Sequence, residues 1–280
     1  MFPQAVFAPV GQVTGPIGWK DPVPVNDVYL FDLDALVPSP KGQMDLDFAR
    51  YLSAFARKRA CYILSNTSIT DMMTRIPASV RAACAGLFAA GGTELWVGED
   101  LVVQHEHEFS DDLYEFMVKV VQKSTYPDKQ APMLESGSAS LRLCIAGYQS
   151  TLRQMKDYAA WEEEHSELAT ITHEFKARFP DHDVYRDTDT SLMIVPRTFS
   201  SALVVSHLLK RHKNARLIGY VTPQAAGSYA NPLCNAFGSA DVLSTIKGPG
   251  DVSQLLSYEF RRLTQQEAAV NERAGELVEA

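Results

Sequence analysis

The chain is short of several things that would assign its class at once. Its 280 residues include only four cysteines, Cys61, Cys84, Cys144 and Cys234, and no CxxC pair. Each lies among apolar or small neighbours, as in Ala60-Cys61-Tyr62 and Leu143-Cys144-Ile145. Buried reduced thiols in a cytoplasmic protein are therefore expected, rather than a disulfide framework or a zinc site. No uninterrupted apolar stretch reaches the length of about 18 residues that marks a membrane-spanning helix. Met1–Lys20 has no basic segment followed by an apolar run, so neither secretion nor a membrane partner is expected. Positive charge is scarce as well: 26 Lys and Arg face 34 Asp and Glu, a formal net charge of −8. Nucleic-acid binding draws mainly on Lys and Arg, so DNA and RNA are not expected partners. One phosphate on a small molecule stays within reach, because a local pocket of donors or a metal can hold it. No internal repeat is visible.

What is present is an ordinary globular mixture. Apolar residues make up 46% and charged residues 21%, enough for a packed core, and the length suits an α/β core carrying an insertion. Residues 1–26 are rich in Gly and Pro and read as an irregular lead-in. Val28–Phe31 is a short apolar run of β-forming residues, suited to the middle of a parallel sheet. Helical spacing of Leu46, Phe48, Tyr51, Leu52 and Phe55 predicts a helix over Asp45–Arg59, and Cys61–Leu64 predicts a second strand ending at Ser65. Short helices at Thr70–Arg75 and Ala78–Cys84 and a strand at Leu87–Ala89 follow, then a hairpin of Leu95–Val97 and Leu101–Val103.

The alternation then changes. Between about residues 105 and 190 the pattern predicts a helix at Asp111–Gln122, a strand at Ser140–Ala146, a helix at Glu162–Phe179 and strands near Val184–Arg186 and Leu192–Val195. It resumes with a helix at Ser200–Arg211, strands at Arg216–Tyr220 and Ala240–Leu243, and a helix from Asp251. The expected fold class is α/β, a doubly wound, mostly parallel Rossmann-like sheet with an inserted α+β cap. Its divisions are a core of 27–104 and 191–262, a cap of 105–190 and a polar helical tail of 263–280, which could pack on another copy or a protein partner.

In open α/β sheets, reactive groups sit beyond the carboxyl ends of the strands, here Asp32, Asp34, Ser65, Gly91-Gly92 and Tyr220. Two carboxylates two residues apart can divide labour, one attacking phosphorus and the other transferring protons. Charge brought together this way calls for Mg²⁺. Phe31-Asp32-Leu33-Asp34-Ala35-Leu36-Val37 and Ile63-Leu64-Ser65-Asn66-Thr67 resemble the first two motifs of the haloacid-dehalogenase-like superfamily. The block after them resembles the α/β cap of its phosphomannomutase and trehalose-phosphate phosphatase branch. That resemblance implies a Mg²⁺-dependent phosphohydrolase for a small phosphorylated metabolite, with a sugar phosphate favoured. Asp32 would be nucleophile and metal ligand, Asp34 general acid/base and metal ligand, and Ser65 and Asn66 phosphate ligands.

Several positions depart from the pattern. Ala35 replaces the usual Gly, and Ser200 or Ser201 stands where a phosphate-binding Lys belongs. Tyr220 occupies the place of a metal-binding Asp, with Ser228 near the next one, and no carboxylate occurs between Asp189 and Asp241. Arg197 and Lys210 match no motif, and Tyr148 replaces a cap arginine. These losses imply the alternative of an inactive binding or assembly protein on the same fold. Other candidates read as structure. His105-Glu106-His107-Glu108 lacks a third spaced metal ligand, Trp161–His165 reads as an acidic helix start, Gly91-Gly92 as a turn at a cap hinge, and Asp251 as a helix N-cap rather than part of a site with Lys247.

Overall fold

The computed structural model describes residues 27–39, 41–199, 201–222, 231–238 and 241–278. The expected lead-in at 1–26, Ser200, Ser228 and the first residue of the strand expected from Ala240 lie outside them.

Period-two alternation builds the first sheet. β1 (Asp27–Asp32) sends Tyr29 and Phe31 to one face and Val28 and Leu30 to the other, and both faces are buried. β2 (Ala60–Leu64), β3 (Gly86–Ala89), β10 (Arg216–Val221) and β11 (Val242–Thr245) join it in parallel. The hairpin β4 (Glu94–Val97) and β5 (Asp100–Gln104) adds an antiparallel edge, giving seven strands in the order β11-β10-β1-β2-β3-β4-β5. On the Tyr29 face lie Leu52 and Phe55 of α2 (Leu46–Ala56) and Leu256 of the last helix, while Val204 and Leu208 of α8 (Ala202–Arg211) cover the other. Helices on both faces make this the doubly wound sheet expected.

Local chemistry sets the helix starts. Asp45 accepts from the N–H groups of Asp47 and Phe48 to begin α2, and Ser68 caps α3 (Ile69–Arg75). Leaving such donors unpaired costs about 0.5–2 kcal/mol per cap. α1 (Leu33–Leu36) is a single turn whose N-cap is Asp32, and α4 (Ala78–Ala83) follows α3 directly.

The inserted residues form a second, antiparallel sheet in the order β6-β7-β9-β8, from β6 (Leu134–Ser136), β7 (Leu141–Cys144), β8 (His182–Thr188) and β9 (Ser191–Pro196). It shares a separate core with α5 (Asp111–Lys123), α6 (Leu152–His165) and α7 (Glu167–Arg178), built from Phe116, Leu143, Tyr158, Phe175 and Ile194.

Several expectations need correction. The helix expected over Glu162–Phe179 is two helices, broken at Ser166, whose φ of 51° is left-handed. The acidic run ends α6 instead of starting a helix. Glu162 is buried, and both its oxygens accept from Leu168 N–H at 3.1 and 3.0 Å, so it caps the start of α7. β6 and α9 (Asn231–Ala236) were not foreseen. β9 pairs with β7 and β8, so the boundary drawn at 190 cuts through the second sheet, and the chain leaves that sheet only after Pro196. Gly91 and Gly92, with φ of 73° and 92°, turn the chain between β3 and β4 inside the first sheet and form no hinge to the second. The last helix, α10, runs Pro249–Val278; Asp251 is its third residue and accepts from Lys247 N–H, and the backbone beyond 263 continues the same helix.

Candidate functional site

The carboxyl ends of β1 and β2 face the second sheet across a narrow cleft of about 130 Å³. The first sheet's side contributes Asp34, Lys41, Ser65, Asn66, Asp71 and Arg75; the other contributes Glu135, Arg142, Tyr148 and Asp187. Polar contacts bridge the two. Asn66 donates to Asp187 Oδ1 at 2.8 Å, and Lys41 Nζ donates to the carbonyls of Tyr148, at 2.9 Å, and Ser150.

Asp32 ends β1 next to the cleft but does not line it. Asp34 N–H donates to its Oδ1 at 3.2 Å, while Thr222 donates to its Oδ2 through N–H at 3.3 Å and Oγ1 at 3.1 Å. Burial, reinforced by the charge of Asp34, pushes the Asp32 carboxyl up to about 7 against the pull of those hydrogen bonds. Asp34 does line the cleft, and its Oδ1 meets Arg75 Nη2 at 2.7 Å. The Arg75 guanidinium is buried, with a weaker contact to Asp71 at 3.5 Å.

Ser65 and Asn66 reach the cleft as expected, but neither stands idle. Ser65 Oγ lies 2.9 Å from Thr67 Oγ1 and accepts from Thr67 N–H, whereas Asn66 is taken up by Asp187. Tyr220 is not at the site. It pairs in register with Phe31 and stacks on that ring at 5.3 Å within the core. Thr222, two residues on, is the residue of β10's end that meets Asp32. Ser201 is buried at the start of α8, and Arg197 pairs with Asp183.

Sequence reasoning missed Lys41, Arg75, Arg142 and Asp187. Arg142 binds Asp187 through Nη2 at 2.9 Å and Glu135 at 3.0 Å, and its guanidinium lies 4.8 Å from the Tyr148 ring centroid. Burial opposes its charge, yet the carboxylates of Asp187 and Glu135 hold it firmly protonated. A single arginine inside the apolar Leu141-Arg142-Leu143-Cys144 strand was the available signal, because a charge there demands a partner. His107 of the discounted cluster does find a distant imidazole: its Nε2 lies 3.1 Å from His182 Nε2. No group of three metal-ligating side chains occurs among the described residues.

Among the described residues, those around Asp32 do not suit Mg²⁺. That ion asks for about six oxygens in octahedral array and is held by carboxylates. Here Asp34 is matched to a buried guanidinium, and hydroxyl-bearing Thr222 stands beside Asp32.

No family model and no curated protein matches the sequence, so the comparison that informs is one of shape. The C-terminal domain of Candida albicans trehalose-6-phosphate phosphatase superposes with a TM-score of 0.58 at 13% identity, over 84% of this chain and 92% of that one. The chain has the capped haloacid-dehalogenase-like fold. ATP-bound Plasmodium falciparum IMP-nucleotidase gives 0.56 at 14% identity, over 83% of this chain and 60% of that one. Its N-terminally truncated, IMP-bound form gives 0.53 at 12% identity, over 83% and 68%. This chain thus spans less than two thirds of the ATP-bound nucleotidase. No helix among the described residues is long and apolar enough to cross a membrane.

Proposed function

We propose that the cleft binds a small phosphorylated metabolite, and that the chain holds it as a binding protein on a phosphohydrolase scaffold, without metal-dependent turnover. The observation that carries this is a pair of buried donors on the cleft wall. Arg75 Nε and the Tyr148 hydroxyl have no hydrogen-bond partner among the described residues. A buried donor left unpaired costs about 1–3 kcal/mol, which an acceptor-rich ligand such as a phosphate would relieve. Three cations, Lys41, Arg75 and Arg142, face four carboxylates, Asp34, Asp71, Glu135 and Asp187. Binding therefore works by exchange, with the phosphate replacing Asp34 as the partner of Arg75.

Turnover through an aspartyl-phosphate would need Asp32 ionised, open to the ligand and supported by a metal. With its carboxyl near 7, its oxygens occupied and Thr222 beside it, Asp32 meets none of these conditions well. A second reading, the Mg²⁺-dependent sugar-phosphate hydrolase using Asp32 and Asp34, is favoured by one observation. β1 and β2 do bring Asp32 and Ser65 to neighbouring strand ends, in a fold shared with a trehalose-6-phosphate phosphatase and an IMP-nucleotidase.

Melting temperature and calorimetry across a panel of phosphomonoesters, with and without Mg²⁺, separate the two. A ligand at ~100 times its Kd stabilises by about 2.7 kcal/mol. The expected result is stabilisation that ignores Mg²⁺, weakens in Arg75→Met and Tyr148→Phe, and comes with no phosphate release. Mg²⁺-dependent release that vanishes in Asp32→Asn would establish the second reading instead, and a panel without any stabilisation would remove both.

A further inference from the structure

The cleft between the two sheets is short of positive charge. Arg75 serves two carboxylates, Asp34 at 2.7 Å and Asp71 at 3.5 Å. Arg142 likewise serves Asp187 at 2.9 Å and Glu135 at 3.0 Å. Lys41 is turned to the carbonyls of Tyr148 and Ser150. Three cations against four carboxylates leave one negative charge around a space of about 130 Å³.

A phosphate alone makes that imbalance worse. Taking Arg75 from Asp34 leaves Asp34 and Asp71 facing the phosphate's own charge, at close range and with water partly excluded. The shortage already shows on the other wall. Burial, joined by the charges of Asp71 and Asp187, pushes the Glu135 carboxyl up against the pull of Arg142. Asp71 comes from α3 and Glu135 from β6, so acidic groups from both sides of the cleft act on one another. The same cleft is nonetheless built to receive a ligand acceptor: Arg75, 4% exposed, keeps its Nε without a hydrogen-bond partner among the described residues.

We infer that the ligand carries a primary ammonium group beside its phosphate, an inference that rests on the phosphate binding already proposed. The phosphate takes Arg75 and the Tyr148 hydroxyl, and the ammonium takes Asp34, Asp71 and Glu135, which the exchange leaves short of positive charge. An ammonium has three N–H donors on one charged nitrogen, which suits several carboxylate oxygens at once. Hydroxyls, as on a sugar, would occupy lone pairs of those carboxylates and leave their charge uncancelled. The volume of about 130 Å³ is small beside the roughly 300–1,000 Å³ usual for ligand pockets, so the molecule is compact. A short aminoalkyl phosphate is the class that fits.

Calorimetry near pH 7 with 2-aminoethyl and 3-aminopropyl phosphate, each against its hydroxyalkyl counterpart of the same length, tests this. In the wild type at least one aminoalkyl phosphate should bind about tenfold or more tighter than its counterpart. The Asp71→Asn/Glu135→Gln double variant should bring the pair close to parity while binding the hydroxyalkyl phosphate as well as before or better, a pattern that lost folding would not give. Binding of none of the four ligands would remove the phosphate reading and the ammonium together. Hydroxyalkyl phosphates that bind as tightly as the aminoalkyl ones, or a preference that survives the double variant, would overturn the ammonium alone and leave phosphate binding standing.

Discussion

Asp32 shows how one carboxyl can mark a fold and still be ill-suited to chemistry. At the end of a buried strand and next to Asp34, it pays a desolvation cost whenever it ionises, and the N–H and hydroxyl of Thr222 return only part of it. Its carboxyl rises from 3.8 in the unfolded chain to about 7 in the fold, so the folded state holds the proton more tightly. The stability this contributes is complete below about pH 4 and is lost as pH rises through about 7. Urea titrations over that range should show stability falling towards neutral pH, and Asp32→Asn should flatten the fall. By about pH 8 the variant should be the more stable by on the order of 1–3 kcal/mol. Unchanged slopes would mean that Asp32 is ionised throughout. Arg142 is the contrary case: its 11% exposed side chain and the 4% exposed one of Asp187 compensate each other, with Glu135 and Asn66 as further partners.

Among the elements, the turn after β7 is the least forgiving. Gly147 has a φ of 94°, and a Cβ there would sit 1.4 Å from the carbonyl oxygen of Gln130. Neither the backbone angle nor the neighbouring chain can yield cheaply, since Gln130 N–H is also tied to the carbonyl of Ala146. Gly147→Ala should therefore cost ~3 kcal/mol or more by chemical denaturation, well above the ~1 kcal/mol of a typical substitution. A loss below that typical value would show that the loop carrying Gln130 moves freely. The same turn delivers Tyr148 and the two carbonyls that receive Lys41, so its shape decides how the second sheet meets the first.

Taken whole, the molecule has separate cores joined by polar contacts. Tyr29, Phe31 and Phe55 belong to one, Phe116, Leu143 and Phe175 to another, and Asn66–Asp187 and Lys41–Tyr148 cross between the sheets. Hydrogen-bonded interfaces of this kind open more readily than packed cores. Phe175→Ala, at a fully buried site, should cost about 3–5 kcal/mol. Hydrogen exchange should then show lost protection in β7, β9 and α5, with β1, β2 and β10 retained. Equal loss in both sheets would mean that the contacts across the cleft make one cooperative unit.

The amino-acid sequence by itself determined what depends on near neighbours. Apolar runs place β1 and β2 and make them end at Asp32 and Leu64, just before Ser65, and Asp45, Ser68 and Ser110 start their helices from within a few residues. The break at Ser166 escaped detection because helical periodicity continues across it. β9 reads equally well as a strand of either sheet, since pairing partners leave no local trace. Tertiary structure alone decided the site. The Asp34–Arg75 pair joins residues 41 apart in sequence, Asn66–Asp187 joins residues 121 apart, and Thr222 reaches Asp32 across 190. Periodicity and capping act over a few residues, whereas these contacts exist only once α3 brings Arg75 to Asp34, the second sheet closes over the first and β10 docks beside β1. That is why a two-residue difference at one strand end, Thr222 in place of Tyr220, could not be seen until the strands were in register.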